Sequence, residues 1–427
     1  MPLLTVSRNT VFKATPTQSF LLPATAKWNV NAGLMFEYYH AFRVGQHCWI
    51  KLKHPIGTIG RTGYFYLPHI EASINELRGV WLTNVDSNIL YSRSYIEEGL
   101  QQLKQLGFNT IYPTVWQGGY TLYPSPVAET FTGAVIKPDI NFSNRDMLAE
   151  LIAAAKECGL RVMPWFEYGL AAPPNSQLHQ RNTRLITLDQ RGEAIRIKSA
   201  DGQPDDLIWL NPAHPEVVQF MVNLITDVVT RYEVDGIQLD DHFGFPVELG
   251  YDAFTKDLYQ RETGKPMPQV PKNSERLKWT MAKMTQLLSQ IFRGVKSKSD
   301  SLISISPNPL AFSINNYFVD WRAWQQDGLI EELVLQVYRS DLSSFIHEVS
   351  KPEVADAQKH IPTAIGVLAG IRTTSVGTSL IEQQLREVRQ RNFAGASCFF
   401  YETVFNEKLA PLIVARNSAD LRRLFVV

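Results

Sequence analysis

Two patterns of apolar and polar positions divide the chain. Over residues 1–70, short apolar runs alternate with turn residues: TVFK, SFLLP, KWNVNAG, HCWIKLKH and TGYFYLPH. Thr, Val, Ile, Tyr, Phe and Trp dominate these runs, Gly, Pro and Asn punctuate them, and none carries a helical repeat. Such side chains suit a pleated, half-buried surface, so this segment predicts a small all-β module of about five strands, of SH3-like barrel size. The stretch Leu67–Glu76 reads as the linker that follows it.

From Glu76 onward, β-rich apolar runs alternate with longer amphipathic stretches. The runs are Arg78–Thr83, Asn109–Trp116, Leu160–Tyr168, Asp235–His242, Leu302–Pro307, Glu332–Tyr338, Ile361–Val367 and Ala396–Glu402. Helical patterns separate them, among them SYIEEGLQQLKQLG, SNRDMLAELIAAAKECG and HPEVVQFMVNLITDVVTRYEV. Ser143 or Asn144 is placed to cap the second, Pro215 sits in the first turn of the third, and Gly107 and Gly159 end two helices. Buried strands alternating with helices predict a (β/α)8 TIM barrel over residues 76–427. Its largest insertion is at about Leu170–Ala213 and contains an expected hairpin at Leu185–Ile197.

Composition narrows the function. Hydrophobic residues at 44% and charged residues at 20% fit an ordinary folded chain and argue against disorder. Lys+Arg and Asp+Glu both number 42 among 427 residues, so the chain lacks the basic excess of a nucleic-acid binder. The 3 cysteines, Cys48, Cys158 and Cys398, form neither a disulfide framework nor a zinc motif. No apolar run is long enough for a transmembrane span. The start MPLLTVSRNTVFK is not a recognisable signal peptide, which implies a cytoplasmic protein, or a cell-envelope one if an export signal has been removed.

In a TIM barrel the site lies at the carboxyl ends of the strands. There the sequence places Asn84, Trp116, Gln117, Glu167, Tyr168, Gln238, Asp240, Asp241, His242, Asn308, Gln336, Tyr338, Tyr401 and Glu402. Carboxylates, amides and aromatic rings together are what glycoside hydrolysis needs: one acid to protonate the leaving oxygen, one carboxylate as nucleophile or base, and ring faces and amides to hold sugars. Two adjacent aspartates after an apolar strand are costly to bury without a role. Glu167 stands between Phe166 and Tyr168, surroundings that raise a carboxyl pKa. Metal-dependent hydrolase barrels need His-x-His after the first strand, and RGVWLTNVD has none; a serine elbow, a phosphate loop and a strand-end lysine are also missing. Neither metal nor cofactor is expected.

Several segments resemble the bacterial glycosyl hydrolase-like 10 family. They are Arg78–Leu82, Gly107–Pro113, Trp209–Pro212, His214–Val217 and above all Tyr232–His242 with its Asp240-Asp241 pair. The resemblance runs from about Glu76 to Thr403 and implies a TIM barrel acting on bacterial glycans, cell-wall glycan first. Gln238 stands where many relatives are expected to carry His. The amino-terminal module is similar to SH3-like domains attached to cell-wall enzymes and is expected to bind cell wall or a protein.

The resulting expectation is a glycosidase with an oligosaccharide or polysaccharide substrate. Asp240 is assigned as nucleophile or base, with Asp241 beside it taking hydrogen bonds from hydroxyls or from Arg339. Glu167 is assigned as general acid and Glu402 as the reserve. Asn84, Gln117, Gln238, Asn308, Gln336 and Tyr338 are expected to hold hydroxyls, and Trp116, Tyr168, His242 and Tyr401 to shape subsites. The rival readings are a carbohydrate-binding barrel without chemistry and a scaffold that recruits a partner through its amino-terminal module.

Overall fold

The computed structural model describes residues 2–194, 197–198, 204–205, 207–371, 374–405 and 424. Its amino-terminal part is a seven-stranded antiparallel sheet built from Leu3–Val6, Thr10–Lys13, Lys27–Val30, Met35–Val44, His47–Ile56, Gly60–Tyr66 and Ile70–Glu71. The run SFLLP holds a 3-10 helix, Ser19–Leu21, and not a strand, while Leu3–Val6, Met35–Val44 and Ile70–Glu71 are strands outside the expected runs. Ile70–Glu71 pairs back onto Leu3–Val6, so the sheet extends into the stretch expected to be linker.

Both faces of this sheet are buried, which is why its central strands read as continuous apolar runs. Ala41, Cys48, Ile50 and Phe65 turn inward to the module's own core with Leu4, Val6 and Phe12. Their neighbours Phe42, Val44, Trp49 and Tyr64 point the other way, as strand alternation requires. These pack against Leu77, Trp81, Tyr112, Met163, Leu302 and Ala364 of the larger unit. Leu77 and Leu302 begin their strands, so the module sits under the amino-terminal end of the second sheet. Ion pairs Lys51–Asp235 at 3.0 Å and Arg61–Asp300 at 2.8 Å fasten the edges of that contact.

The second sheet is parallel and curled, in TIM-barrel-like fashion. Its strands are Leu77–Leu82, Thr110–Pro113, Arg161–Val162 with Trp165–Phe166, Gly236–Asp240, Leu302–Ser306, Glu332–Gln336, Thr363–Leu368 and Gly395–Phe399. Arg161–Val162 pairs with Thr110–Pro113, and Trp165–Phe166 pairs with Gly236–Asp240. Only Met163 and Pro164 separate these segments, so one stretch of chain joins the two edges of the sheet. The strand ends fall within three residues of those of the expected apolar runs, because a strand covered on both faces is mostly apolar.

Helices lie between the strands, with caps that the sequence largely specifies. Gly159 takes a left-handed conformation after the helix Met147–Cys158, and Pro215 opens the helix Pro215–Arg231. The cap expected at Ser143 or Asn144 is instead Asp146, whose side chain accepts from the Ala149 N–H. Ser143 is occupied in the preceding turn, donating to the Asp139 carbonyl at 2.8 Å. The hairpin expected at Leu185–Ile197 lies partly outside the described residues; within them, Asp189 and Glu193 close a turn. Among the described residues no helix is long and apolar enough to cross a membrane.

The sheet's concave side is filled by side chains, polar ones included. Near the amino-terminal ends of the strands, Arg161 Nη1 meets Glu332 Oε2 at 2.6 Å with both side chains fully buried. The Tyr112 hydroxyl donates to the other Glu332 oxygen at 3.2 Å. One layer higher, Trp81 Nε1 donates to Gln238 Oε1 at 2.7 Å, and Gln238 Nε2 donates to Ser304 at 3.1 Å. Removing one member of a buried pair strands the other's charge. We expect Glu332→Ala to cost about 3–5 kcal/mol in denaturant unfolding, while activity in the surviving folded fraction persists, because the pair lies at the end away from the strand-end carboxylates.

Candidate active site

The fourth parallel strand, Gly236–Asp240, sets the geometry. Gln238 and Asp240 share a face, and with Gln238 locked in the interior, Asp240 emerges one step nearer the carboxyl end. Asp240 is 8% exposed, and its Oδ1 accepts from Ser306 Oγ and from Gln336 Nε2, both at 3.0 Å. Those donors belong to the next two strands in the sheet. The chain then makes a single 3-10 turn, Asp241–Phe243. Asp241 Oδ2 accepts from Asn308 Nδ2 at 2.7 Å. His242 folds back so that its Nδ1 lies 3.4 Å from Asp240 Oδ2 and 3.3 Å from Asp241 Oδ1.

Glu167 follows the third strand and reaches the same region. Its Oε2 accepts from Thr114 Oγ1 at 3.1 Å. The next residue, Tyr168, stacks on the His242 ring with centroids 5.3 Å apart and planes 9° from parallel. Gly169 permits this approach: it has φ +49°, and a Cβ there would lie 2.6 Å from the His242 carbonyl carbon. The Leu170 N–H then donates to the His242 carbonyl at 3.1 Å, tying the two turns together.

Burial and charge separate the protonation states. Burial, reinforced by the Asp241 charge, holds the Asp240 carboxyl well above its ordinary range. Burial acts on Asp241 in the same direction, but the His242 cation and the hydrogen bonds from His242 and Asn308 prevail and bring it to about 2. Burial opposes a charge on His242, yet the two aspartates keep it protonated well above the usual imidazole value. The result is one proton on Asp240, one negative charge on Asp241 and one positive charge on His242. Burial raises Glu167 to about 7, against the pull of His242, Thr114 and Lys137. Tyr338 borders the pair: burial and then the charges of Asp240 and Asp241 push its hydroxyl up.

Asp240, Asp241 and His242 also offer atoms within 4.8 Å of one another, the spacing of a cation site. The oxygens are already taken up by Ser306, Gln336, Asn308 and His242, and a protonated imidazole repels a cation. The donor set therefore fits proton chemistry better than metal binding.

Other expected site residues go elsewhere. Trp116 is fully buried, donates to the Gly169 carbonyl at 2.9 Å and packs edge-on to Phe220, so its ring is core and supports the Gly169 turn. Gln238 spends its amide inside the sheet on Trp81 and Ser304. Tyr401 lies outside the strand ring, its hydroxyl donating to Gln102 at 3.1 Å. Glu402 accepts from the Ser87 hydroxyl and the Asn88 N–H, which makes it a clasp on the loop after the first strand. Arg339 pairs with Glu348 at 2.9 Å, and Asn308 takes the place beside Asp241 expected for it.

Asn84 and Gln117 do meet, at 3.4 Å, and Lys137 Nζ donates to Gln117 Oε1 at 3.2 Å. Among the described residues, Asn84 Oδ1 is a buried acceptor with no donor. Sequence reasoning missed Thr114, Lys137 and Ser306. Thr114 and Ser306 stand at strand ends within runs already recognised, so a search for small hydroxyl residues there would find them. Lys137 sits in a loop and carries no local signal.

The chain belongs to the glycosyl hydrolase-like 10 family, whose sequence profile matches residues 76–386. It is 24% identical over 339 residues to the glycosyl hydrolase DigH of Escherichia coli K12, covering 72% of this chain and 75% of that one. In fold it is similar to the glycoside hydrolase domain of PgaB from Bordetella bronchiseptica, with TM-score 0.54 and 13% identity over 78% of this chain and 96% of that one. The catalytic domain of the Paenibacillus polymyxa β-amylase is also similar, with TM-score 0.57 and 12% identity over 82% and 97%. These likenesses in structure establish the fold.

A raised carboxyl pKa makes stability depend on pH with a definite sign. Native Glu167 holds its proton up to about 7, whereas the unfolded chain releases it near the ordinary carboxyl value of 4.5. Between these values the native state binds more protons, so its stability falls as pH rises. Glu167→Gln removes that loss. We expect the variant to gain on the order of 2 kcal/mol relative to wild type between pH 5 and pH 8, read from paired denaturant titrations.

Proposed function

We propose that this protein hydrolyses glycosidic bonds of a bacterial polysaccharide or cell-wall glycan, with Glu167 as general acid and the Asp240–Asp241 pair supplying the second carboxylate. The observation that carries the reading is geometric: Tyr168, next to Glu167, stacks on the His242 ring, and His242 reaches both Asp240 and Asp241, so a carboxyl raised by burial and one held ionised by its partners share one strand-end site. Glycoside hydrolysis needs that division of labour.

Within the pair, Asp241 is the better candidate for nucleophile or base. It carries the charge, and its side chain is 24% exposed, against 6% for Asp240. Asp240 holds the shared proton and is anchored from behind by Ser306 and Gln336, so its role is to set the charge and position of Asp241 and His242. This moves the direct role assigned from sequence one residue along the chain. Glu167, half-buried beside Tyr168, donates its proton to the leaving oxygen as the bond breaks. Tyr338 and the Tyr168–His242 stack border the sugar, and Gln117 with Lys137 lies behind Asn84.

The finer architecture belongs to the same proposal: a full (β/α)8 barrel from residue 76 onward, and an SH3-like module over residues 1–70 that binds cell wall or a protein. The module lies at the sheet end opposite the carboxylates, so it anchors substrate and does not shape the site. A carbohydrate-binding barrel without turnover remains the second reading, since the same rings and amides serve binding alone.

Incubation with peptide-free cell-wall glycan and related polymers, followed by mass analysis of products, tests hydrolysis directly. General acid–base catalysis contributes about 10²–10⁴-fold, so Asp241→Asn and Glu167→Gln are each expected to lower kcat by that range. Wild-type kcat should fall as pH rises through about 7, where Glu167 loses its proton, and that limb should vanish in Glu167→Gln. Full turnover in both variants, with the same pH limb, would remove these carboxylates from the reaction.

A further inference from the structure

A groove of about 400 Å³ adjoins the carboxylate site through Asn308, the residue that donates to Asp241. Phe312, on the helix Leu310–Tyr317 and 49% exposed, also lines it. So do Arg339, Glu348 and Lys351. A single exposed phenylalanine is ordinary on a protein surface and means nothing alone. The position of this one matters: it lines the same groove as Asn308, whose side chain donates to Asp241.

The ring is also held in place. The Ser313 hydroxyl donates to the Asn308 carbonyl at 2.8 Å, which fixes the start of the helix against the strand end. The Phe245 and Val247 N–H groups donate to the Tyr317 and Asn316 carbonyls, which fixes its end. Phe312 packs against Tyr317 with centroids 5.9 Å apart. Tyr317 in turn lies near enough to Asp241 for that charge, after burial, to raise its hydroxyl to about 12. Opposite, Arg339 and Lys351 bind the two oxygens of Glu348 at 2.9 and 2.6 Å, a fixed polar wall that retains N–H donors. An apolar ring on one side and polar groups on the other match the two characters of a sugar: flat C–H faces and equatorial hydroxyls.

We propose that this groove is a distal glycan subsite, in which a sugar unit beyond the cleavage point packs on Phe312 and hydrogen-bonds toward Asn315, Arg339 and Lys351. The proposal rests on the glycan-hydrolase reading above and adds to it a preference for long chains. The polymer passes from the carboxylates across Asn308 to Phe312, so only a substrate with several units on that side reaches the ring.

The test is kcat/KM on peptide-free cell-wall glycan fragments fractionated to four and to eight sugars. Wild type should favour the longer fragment. Phe312→Ala should cut the eight-to-four preference by roughly three- to tenfold, the worth of one aromatic packing contact. Phe312→Trp should restore it. An equal loss on both lengths, or an unchanged preference, would overturn the subsite. If wild type cleaves neither fragment, the hydrolase reading fails, and the groove is then judged by binding. Retardation of wild type in a gel containing the long glycan, relieved in Phe312→Ala, would support the subsite. Identical mobility of the two proteins would contradict it.

Discussion

Two carboxyl groups on consecutive residues, both largely removed from water, cannot both carry a charge without strong compensation. Asp240 and Asp241 impose that constraint at the carboxyl end of the fourth strand, and the surrounding structure answers it piece by piece. Ser306 and Gln336 donate to Asp240, Asn308 donates to Asp241, and His242 stands between them as a cation. Every donor comes from the strand ends that follow or from the turn itself. The parallel sheet is therefore more than a scaffold: its register brings Ser306 directly opposite Asp240. The pair settles with one proton and one charge, an asymmetry that the proposed function uses by giving Asp241 the direct role and Asp240 the supporting one.

The same economy appears at the opposite end. The strands that begin beneath the amino-terminal module are closed off by Phe42, Val44, Trp49 and Tyr64, and a buried Arg161–Glu332 pair sits just inside. Lys51 and His40 of the module both reach Asp235, the residue just before the fourth strand. They overcome burial and hold the Asp235 carboxyl far below its ordinary range. The strand that carries the aspartate pair is thus pinned by the module at its start and by its neighbours' donors at its end.

Much of this was legible in the residues. Eight mostly apolar runs separated by amphipathic ones gave the order of strands and helices, because a strand buried on both faces carries few polar positions. The Asp240-Asp241 pair and Glu167 were conspicuous as charges next to such runs. Side-chain direction was harder. Trp116, Gln238, Tyr401 and Glu402 all sit at strand ends, yet the structure turns Trp116 and Gln238 into the interior and Tyr401 and Glu402 onto the loop and helix after the first strand. A strand end alternates its faces like any strand, and the chain beyond it obeys no period at all. Asn308 for Arg339 as the partner of Asp241 is the same lesson: the shorter side chain was nearer, and Arg339 had a better anion in Glu348.

The claim on which the account turns is that Asp240 carries a proton at neutral pH while Asp241 does not. Infrared difference spectroscopy reads it directly, by subtracting the spectrum of Asp240→Asn from that of wild type at pH 7. The account predicts that the substitution removes a carboxylic-acid carbonyl band and leaves the carboxylate bands nearly unchanged. Loss of a carboxylate band, with no acid band in wild type to lose, would contradict it.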